Sequence, residues 1–252
     1  MHQKVAQRKR NNIAYRKDLA FIHHSGFAEF ALKSAPGLLA VLRRCGVSNG
    51  LVVDLGCGSG LWARALVREG YRVLGVDISE SMIAIARRQT PDADFRLGSL
   101  FSFDIPTCDA VTSLGECINY TFDEKSGSRS VSRLFRRIYR SLRPGGVFII
   151  DVAEPGQIEP GSSVRSFSEG RDWTVLVEKH EEKEVLTRRI ITFRKIASGY
   201  RRDEEIHRQR LYKREEVVRL LGEVGFRVRV VDRYGRYALL PARAGFIARK
   251  PI

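Results

Sequence analysis

No apolar run in this chain of 252 residues approaches the ~18 residues that a membrane-spanning helix needs. That excludes a helical membrane protein. The N-terminus is basic and has no apolar signal core, so secretion is not expected and a cytoplasmic location is. Cysteine is scarce. Cys45, Cys57, Cys108 and Cys117 form no C-x-x-C pair and have no histidine cluster beside them. A structural zinc site is therefore not expected, and the four read as reduced thiols. Internal repeats and low-complexity segments are also missing. Acid is absent from the first 17 residues, which carry Lys4, Arg8, Lys9, Arg10, Arg16 and Lys17 within a formal charge of +15. Such an arm reads first as a solvated charged face, and alternatively as a footprint for nucleic acid. Residues 1 to 12 read as a mobile segment.

The richest stretch is Leu51 to Gly60, Leu-Val-Val-Asp-Leu-Gly-Cys-Gly-Ser-Gly. Leu51, Val52, Val53 and Leu55 surround one carboxylate, Asp54, as in a buried strand. Gly56, Gly58 and Gly60 then alternate with small residues, and helical spacing begins with Leu61, Ala63, Ala65 and Leu66. Glycines at a strand-to-helix turn let a ligand approach the backbone, because no Cβ intervenes. An open α/β sheet places its ligand crevice at such a turn. The spacing is G-x-G-x-G with Leu61 at the sixth position, so the dinucleotide pattern G-x-G-x-x-G is missing. Asp54 beside the turn disfavours a pyrophosphate and favours a ligand carrying an ammonium or sulfonium.

Arg72 to Ile78 reads as a second short strand ending in Asp77, about 20 residues beyond Gly56, where nucleoside-binding α/β folds carry the acid for the ribose hydroxyls. A carboxylate accepts from both hydroxyls at once. Taken alone, Asp77 could equally be an acid at the start of the helix after Ser79; beside the glycine turn, the ribose role is preferred. With Asp54, the glycine turn and Asp77 together, the chain resembles the class I S-adenosylmethionine-dependent methyltransferases of the small-molecule type.

The rest of the chain has a matching rhythm. Residues 13 to 42 are helical in pattern with a break near Ser34-Ala35-Pro36-Gly37, where Pro36 suits the first turn of a new helix. Strands are expected near 51–55, 72–77, 93–97, 109–114 and 146–151, and helices near 60–69, 79–88 and 127–142. This alternation implies a parallel sheet with right-handed crossovers. Residues 164 to 212 alternate with period two and predict an antiparallel subdomain. A helix from Arg214 to Leu221 and strands at 226–231 and 246–250 close the chain. Taken with the resemblance, this implies four regions: a basic arm with lid helices (1–35), a cofactor-binding α/β core (36–153), an antiparallel acceptor-covering insertion (154–212), and a closing helix and strands (213–252). The resemblance implies a Rossmann-like seven-stranded sheet of order 3-2-1-4-5-7-6, strand seven antiparallel, with helices on both faces.

It also implies a site. The turn from Asp54 through Gly56, Cys57, Gly58 and Gly60 would carry S-adenosylmethionine, with Asp77 at the ribose and Ile78 also binding the cofactor. Gly98-Ser99-Leu100 takes the place of the third motif. Ser99 stands where the family often has an acid or amide for the adenine amino group, and is alternatively an ordinary polar turn; Leu100 would pack on the adenine. After strand four, Gly115 permits close backbone approach to the methionine end. Glu116, Asn119 and Tyr120 are the candidates for orienting an acceptor, although Tyr120 could instead cap the core. Cys117 is not expected to act as a nucleophile, since no activating histidine adjoins it. Tyr15 and the pair His23-His24 lie in the N-terminal helices that would cover the cofactor. On a strand, Glu205 and His207 share a face; they form either a base with its orienting acid or an exposed charged pair.

The expectation is therefore an enzyme of class EC 2.1.1.-, moving a methyl group by direct displacement to nitrogen or oxygen of a small molecule. Glu116 and His207 are the candidate bases, needed for a hydroxyl acceptor but not for a neutral amine. A methyltransferase for RNA or another macromolecule docked on the basic surface is the alternative; against it, the Asn-Pro-Pro-Tyr type of motif is absent. A non-catalytic cofactor-binding module is the third reading.

Overall fold

The computed structural model describes residues 14–252, apart from the side chain of Ser128. The basic segment at residues 1 to 12 lies outside the described residues. Two helices open the chain, α1 (Lys17–Gly26) and α2 (Glu29–Arg44). Then β1 (Leu51–Leu55), α3 (Leu61–Arg68), β2 (Arg72–Asp77), α4 (Glu80–Gln89), β3 (Asp94–Leu97), β4 (Cys108–Ser113), α5 (Ser128–Ser141) and β5 (Leu142–Ala153) alternate. Apart from Asp54, strand β1 is apolar because both of its faces are covered. Ser79 caps α4, its hydroxyl accepting the Met82 N–H at 3.2 Å.

The insertion follows as β6 (Ser163–Gly170), β7 (Trp173–Glu182), β8 (Val185–Ile196) and β9 (Gly199–Arg210), paired antiparallel in that order. The chain ends with α6 (Arg214–Val224), β10 (Arg227–Val231), a small hairpin of β11 (Arg233–Tyr234) and β12 (Tyr237–Ala238), and β13 (Arg243–Arg249). The main sheet runs β10-β13-β5-β4-β1-β2-β3. Strands β1 to β5 are parallel, while β13 is antiparallel to both β5 and β10. Counting only main-sheet strands, this is the expected order 3-2-1-4-5-7-6.

Two layers of helices bury the sheet. Phe135, Phe148, Leu221 and Phe246 close the face under α5 and α6. Leu38, Leu42, Trp62 and Leu66 close the face under α2 and α3. Each such large side chain contributes roughly 1.5–3 kcal/mol by leaving water. In the insertion, Trp173, Val175 and Ile190 receive Leu19 and Ile22 of α1, which fixes α1 over the sheet.

The expected break at Ser34–Gly37 is not there: α2 continues through Pro36. The small residues serve a close crossing instead, since a Cβ on Gly37 would stand 2.2 Å from the Tyr234 backbone. That contact seats the β11–β12 hairpin, which the sequence pattern did not predict. Strand β5 also runs further than expected, to Ala153, because β13 pairs with it up to that residue. Among the described residues no helix is long and apolar enough to cross a membrane.

Candidate active site

Parallel strands deliver their C-terminal ends to one rim of the sheet, and the cleft opens there between the glycine turn, α1 and α2. Gly56, Gly58 and Gly60 all have positive φ. The Gly56 and Cys57 N–H groups donate to the Val76 carbonyl, which binds the turn to β2. A Cβ on Gly56 would strike Cys117 Sγ, whereas one on Gly58 would meet nothing within 4 Å. Gly58 therefore leaves a hollow at the cleft wall. Gly60 does not line the cleft; it starts α3 and lets that helix pack on Ala86 and Phe95, 3.0 Å from where its Cβ would be.

Asp77 is held by two backbone donors. Oδ2 accepts the Gly58 N–H at 2.9 Å and Oδ1 the Ser79 N–H at 2.8 Å. Each oxygen keeps a lone pair for a ligand. Burial raises its pKa against the pull of those donors. Asp54 lies deeper. Its Oδ1 accepts the Thr112 hydroxyl at 2.6 Å, and Thr112 accepts the Trp62 indole N–H at 3.2 Å. Burial, with the Asp77 charge nearby, pushes Asp54 up to about 7.

Further along, Ile78 and Leu100 line the cleft with Asp123. Ser99 does not line it; its hydroxyl bonds to Asp123 Oδ2 and accepts the Phe101 N–H. The serine holds an acid in place, and that acid is the side chain presented to the cleft. The sequence reading missed Asp123 because it stands in a loop with no motif around it.

The other wall is aromatic. Tyr15 and Tyr120 line it, their hydroxyls 2.8 Å apart. Burial raises both phenols, which stay protonated. Tyr15 sits at φ +52, and its carbonyl accepts the Ser79 hydroxyl at 2.8 Å. His23 also lines the cleft, against the Tyr15 ring at 5.3 Å, with no hydrogen-bond partner for its enclosed Nδ1. Burial, helped by His24 and His207, pushes its pKa down to about 4, so it is neutral near pH 7. His24 instead bonds Ser59 at 2.9 Å.

Gly115 and Cys117 line the cleft as well. Gly115 has φ +84, and both its N–H and that of Glu116 donate to Asp151. Burial pushes the Cys117 thiol far up, which leaves it inert. The buried thiol of Cys57, whose residue lines the cleft at the turn, is raised likewise.

Three candidates for acceptor chemistry are elsewhere. Glu116 does not line the cleft. At φ +61 its side chain turns away, to Arg188 at 3.1 Å, Gln209 at 3.0 Å and Arg243. Burial alone would raise its pKa, but Arg188 and Arg243 hold it below the usual range, the opposite of what a base needs. Asn119 is wholly buried and structural. Its amide donates to the carbonyls of Ala153 and Arg210 at 2.9 and 2.7 Å and accepts the Ala153 N–H. His207 lies behind the aromatic wall, its ring 5.0 Å from Tyr15 and 5.8 Å from Tyr120. Its Nε2 is 2.8 Å from Glu205, so the expected pair exists, but it is buried rather than exposed and faces no cleft.

Among the described residues the lining contains Asp54, Asp77 and Asp123 and neither lysine nor arginine. Open lone pairs on Asp77, the hollow at Gly58 and the apolar faces of Ile78 and Leu100 fit a nucleoside, and the acids fit a cationic tail. S-adenosylmethionine has both parts.

Comparison with known proteins agrees. A family model described as a methyltransferase domain matches residues 52–146. A dTDP-3-amino-3,6-dideoxy-alpha-D-glucopyranose N,N-dimethyltransferase from Streptomyces fradiae is 29% identical over 217 residues, covering 81% of each chain. The glycine N-methyltransferase of Rattus norvegicus is 32% identical over 148 residues, half of each chain. The crystal structure of an S-adenosylmethionine-dependent methyltransferase from Clostridium acetobutylicum ATCC 824 superposes with a TM-score of 0.79 at 19% identity, covering 92% of this chain and 98% of that one. The glycine turn, the paired acids, the methyltransferase-domain match and these relatives converge on a class I S-adenosylmethionine-dependent methyltransferase.

Proposed function

We propose that this enzyme methylates a nitrogen of a small amine-bearing molecule. The observation that carries the reading is the likeness to the Streptomyces fradiae amino-sugar N,N-dimethyltransferase along 81% of both chains. Such coverage includes the insertion as well as the cofactor half. The glycine N-methyltransferase likeness points to the same acceptor element.

When bound, S-adenosylmethionine would supply a methyl carbon activated by its sulfonium: the acceptor nitrogen would bond to that carbon as the carbon–sulfur bond breaks, with S-adenosylhomocysteine leaving and the amine proton passing to solvent. Asp77, with its backbone-fixed carboxylate, holds the ribose hydroxyls, and Ile78 and Leu100 flank the adenine. Asp123, steadied by Ser99, takes the adenine amino group. Asp54 and the glycine turn receive the methionine end. The aromatic wall of Tyr15, Tyr120 and Phe122 excludes water and confines the acceptor, and orientation of this kind supplies several kcal/mol. An amine reacts as the neutral base and needs no strong proton acceptor. That suits a cleft from which Glu116 and His207 are both withdrawn. Neutral His23 is placed to accept an N–H from the amine and so align its lone pair.

Isothermal titration with S-adenosylhomocysteine, on the wild type and Asp77→Ala, tests the cofactor side. Micromolar binding that collapses in the variant is expected. Methyl transfer from labelled S-adenosylmethionine to a panel of amino sugars and amino acids, beside matched hydroxyl compounds, tests the acceptor side. Transfer to the hydroxyl compounds alone would overturn the nitrogen assignment.

A further inference from the structure

Beyond Tyr120, where β5 and β13 reach the same rim of the sheet, three cations come together under the insertion. Lys179 on β7 pairs directly with Arg188 on β8. Like charges placed opposite one another on a sheet are destabilising. Arg188 and Arg243, the first residue of β13, converge on the two oxygens of Glu116. Their side chains are only 15% and 22% exposed.

The cluster is short of partners. Among the described residues, the buried Nε atoms of Arg188 and Arg243 have no hydrogen-bond partner, nor has Oε1 of the fully buried Gln209. Among the described residues the Lys179 side chain has no hydrogen-bond or ion-pair partner. Burial, and then Arg188 and Arg243, lower its pKa. Five acids on the surrounding elements are already engaged. Glu116 serves both guanidinium groups. Asp151 binds the N–H groups of Gly115 and Glu116. Glu154 pairs with Arg214, and Glu181 accepts the N–H groups of Gly156, Gln157 and Ile158. Glu205 is taken by Tyr15, Arg16 and His207. Cations of this kind, dry and under-paired, are costly unless an anion completes them.

Position says which molecule would bring that anion. The nucleoside and methionine features lie over β1, β2 and β4. The cations lie on the other side of Tyr120, at the ends of β5 and β13, which is the side left for the acceptor. Guanidinium edges match the oxygens of phosphate or carboxylate in pairs. We propose that Lys179, Arg188 and Arg243 form an anion subsite that holds a phosphate or carboxylate group of the methyl acceptor. The substrate class is then an amine that also carries an oxyanion, an inference that rests on the small-molecule reading above. Charge is then divided along the rim, with acids lining the cofactor cleft and the cations beyond Tyr120.

Lys179→Met is the informative variant, because it removes a charge without stripping Glu116 of a partner. Replacing either arginine would leave that carboxylate under-paired. Isothermal titration of the S-adenosylhomocysteine complex with pyrophosphate, and separately with malonate, gives the readout. Binding of one of them is expected, weakened about tenfold in Lys179→Met, with S-adenosylhomocysteine affinity unchanged. The anion that binds more tightly tells phosphate from carboxylate. In turnover, the variant raises KM for anionic amines more than it lowers kcat. Intact cofactor binding with no binding of either anion overturns the subsite, as does equal anion binding by both proteins. Loss of cofactor binding in the wild type itself would instead strike the methyltransferase reading.

Discussion

Asp77 takes its position from Gly58: the glycine N–H donates to the carboxylate at 2.9 Å, so the turn that shapes the hollow also aims the acid. Gly58 lies at φ +54 with open space where a Cβ would be. Gly58→Ala should cost about 1 kcal/mol of stability from the left-handed backbone alone and lower S-adenosylhomocysteine affinity more than tenfold, on the order of 1.4 kcal/mol or above. Gly70→Ala is the control. Gly70 has φ +84 and equally open surroundings, but it lies in the turn between α3 and β2. It should show the same stability loss with full affinity. Equal affinity losses in the two variants would mean that backbone strain, and not the hollow, is being measured.

Glu116 should behave as a structural residue. Glu116→Gln removes the charge shared by Arg188 and Arg243, and breaking a buried pair of this kind costs about 3–5 kcal/mol. Denaturant unfolding should register that loss, with any fall in kcat following the folded fraction. A general base would behave differently: kcat would drop steeply in a protein of unchanged stability.

The contrast between Asp77 and Glu116 shows what a sequence can carry. The strand, the glycine turn and the acid of the second strand are local features at fixed spacing, so their geometry follows from chain order. The alternation of strands and helices is equally local, and it yields the sheet order. Glu116 also stands at the end of a strand, in register with the cleft, and looked like a site residue for that reason. Its direction is decided by a positive φ and by arginines from β8 and β13, neither of which local pattern encodes. Asn119 is claimed in the same way by the backbone of Ala153 and Arg210. Asp123 was invisible for the converse reason: a loop residue acquires its place from Ser99 and from the Lys125 N–H of its own turn.

Protonation of Asp54 should be readable in stability against pH. Its native pKa is about 7, against about 3.9 in an unfolded chain. Between those values the native state holds a proton that the unfolded state has lost. Stability must therefore fall as pH rises, by up to about 1.4 kcal/mol per pH unit for this group, and level off above pH 7. Subtracting the profile of Asp54→Asn isolates the effect from Asp151 and the histidines. Cofactor binding should run the other way. The ammonium of S-adenosylhomocysteine favours the ionised acid, so wild-type affinity should rise through pH 7 while that of the variant stays flat. Parallel profiles in the two proteins would place the titrating group elsewhere.

Glu205 joins the N-terminal segment to the insertion. Its oxygens accept the N–H groups of Tyr15 and Arg16 at 2.8 and 2.9 Å, and Oε2 also meets His207 Nε2 at 2.8 Å. Through that clip the Tyr15 carbonyl reaches Ser79, next to Asp77. The connection runs from the insertion to the ribose acid. Glu205→Ala should free the segment ahead of α1, so that limited proteolysis cuts there first. It should also weaken S-adenosylhomocysteine binding several-fold, since ordering the segment becomes part of the binding event. His207→Gln keeps a hydrogen-bonding group beside Glu205 and leaves the Tyr15 and Arg16 contacts in place. A catalytic His207 would lose kcat in that variant with cofactor affinity intact. A positioning role, through the aromatic wall it supports, would instead move KM for the acceptor and leave the pH dependence of kcat as it was, and that split is the outcome expected from a ring that faces Tyr15 and Tyr120 but not the cleft.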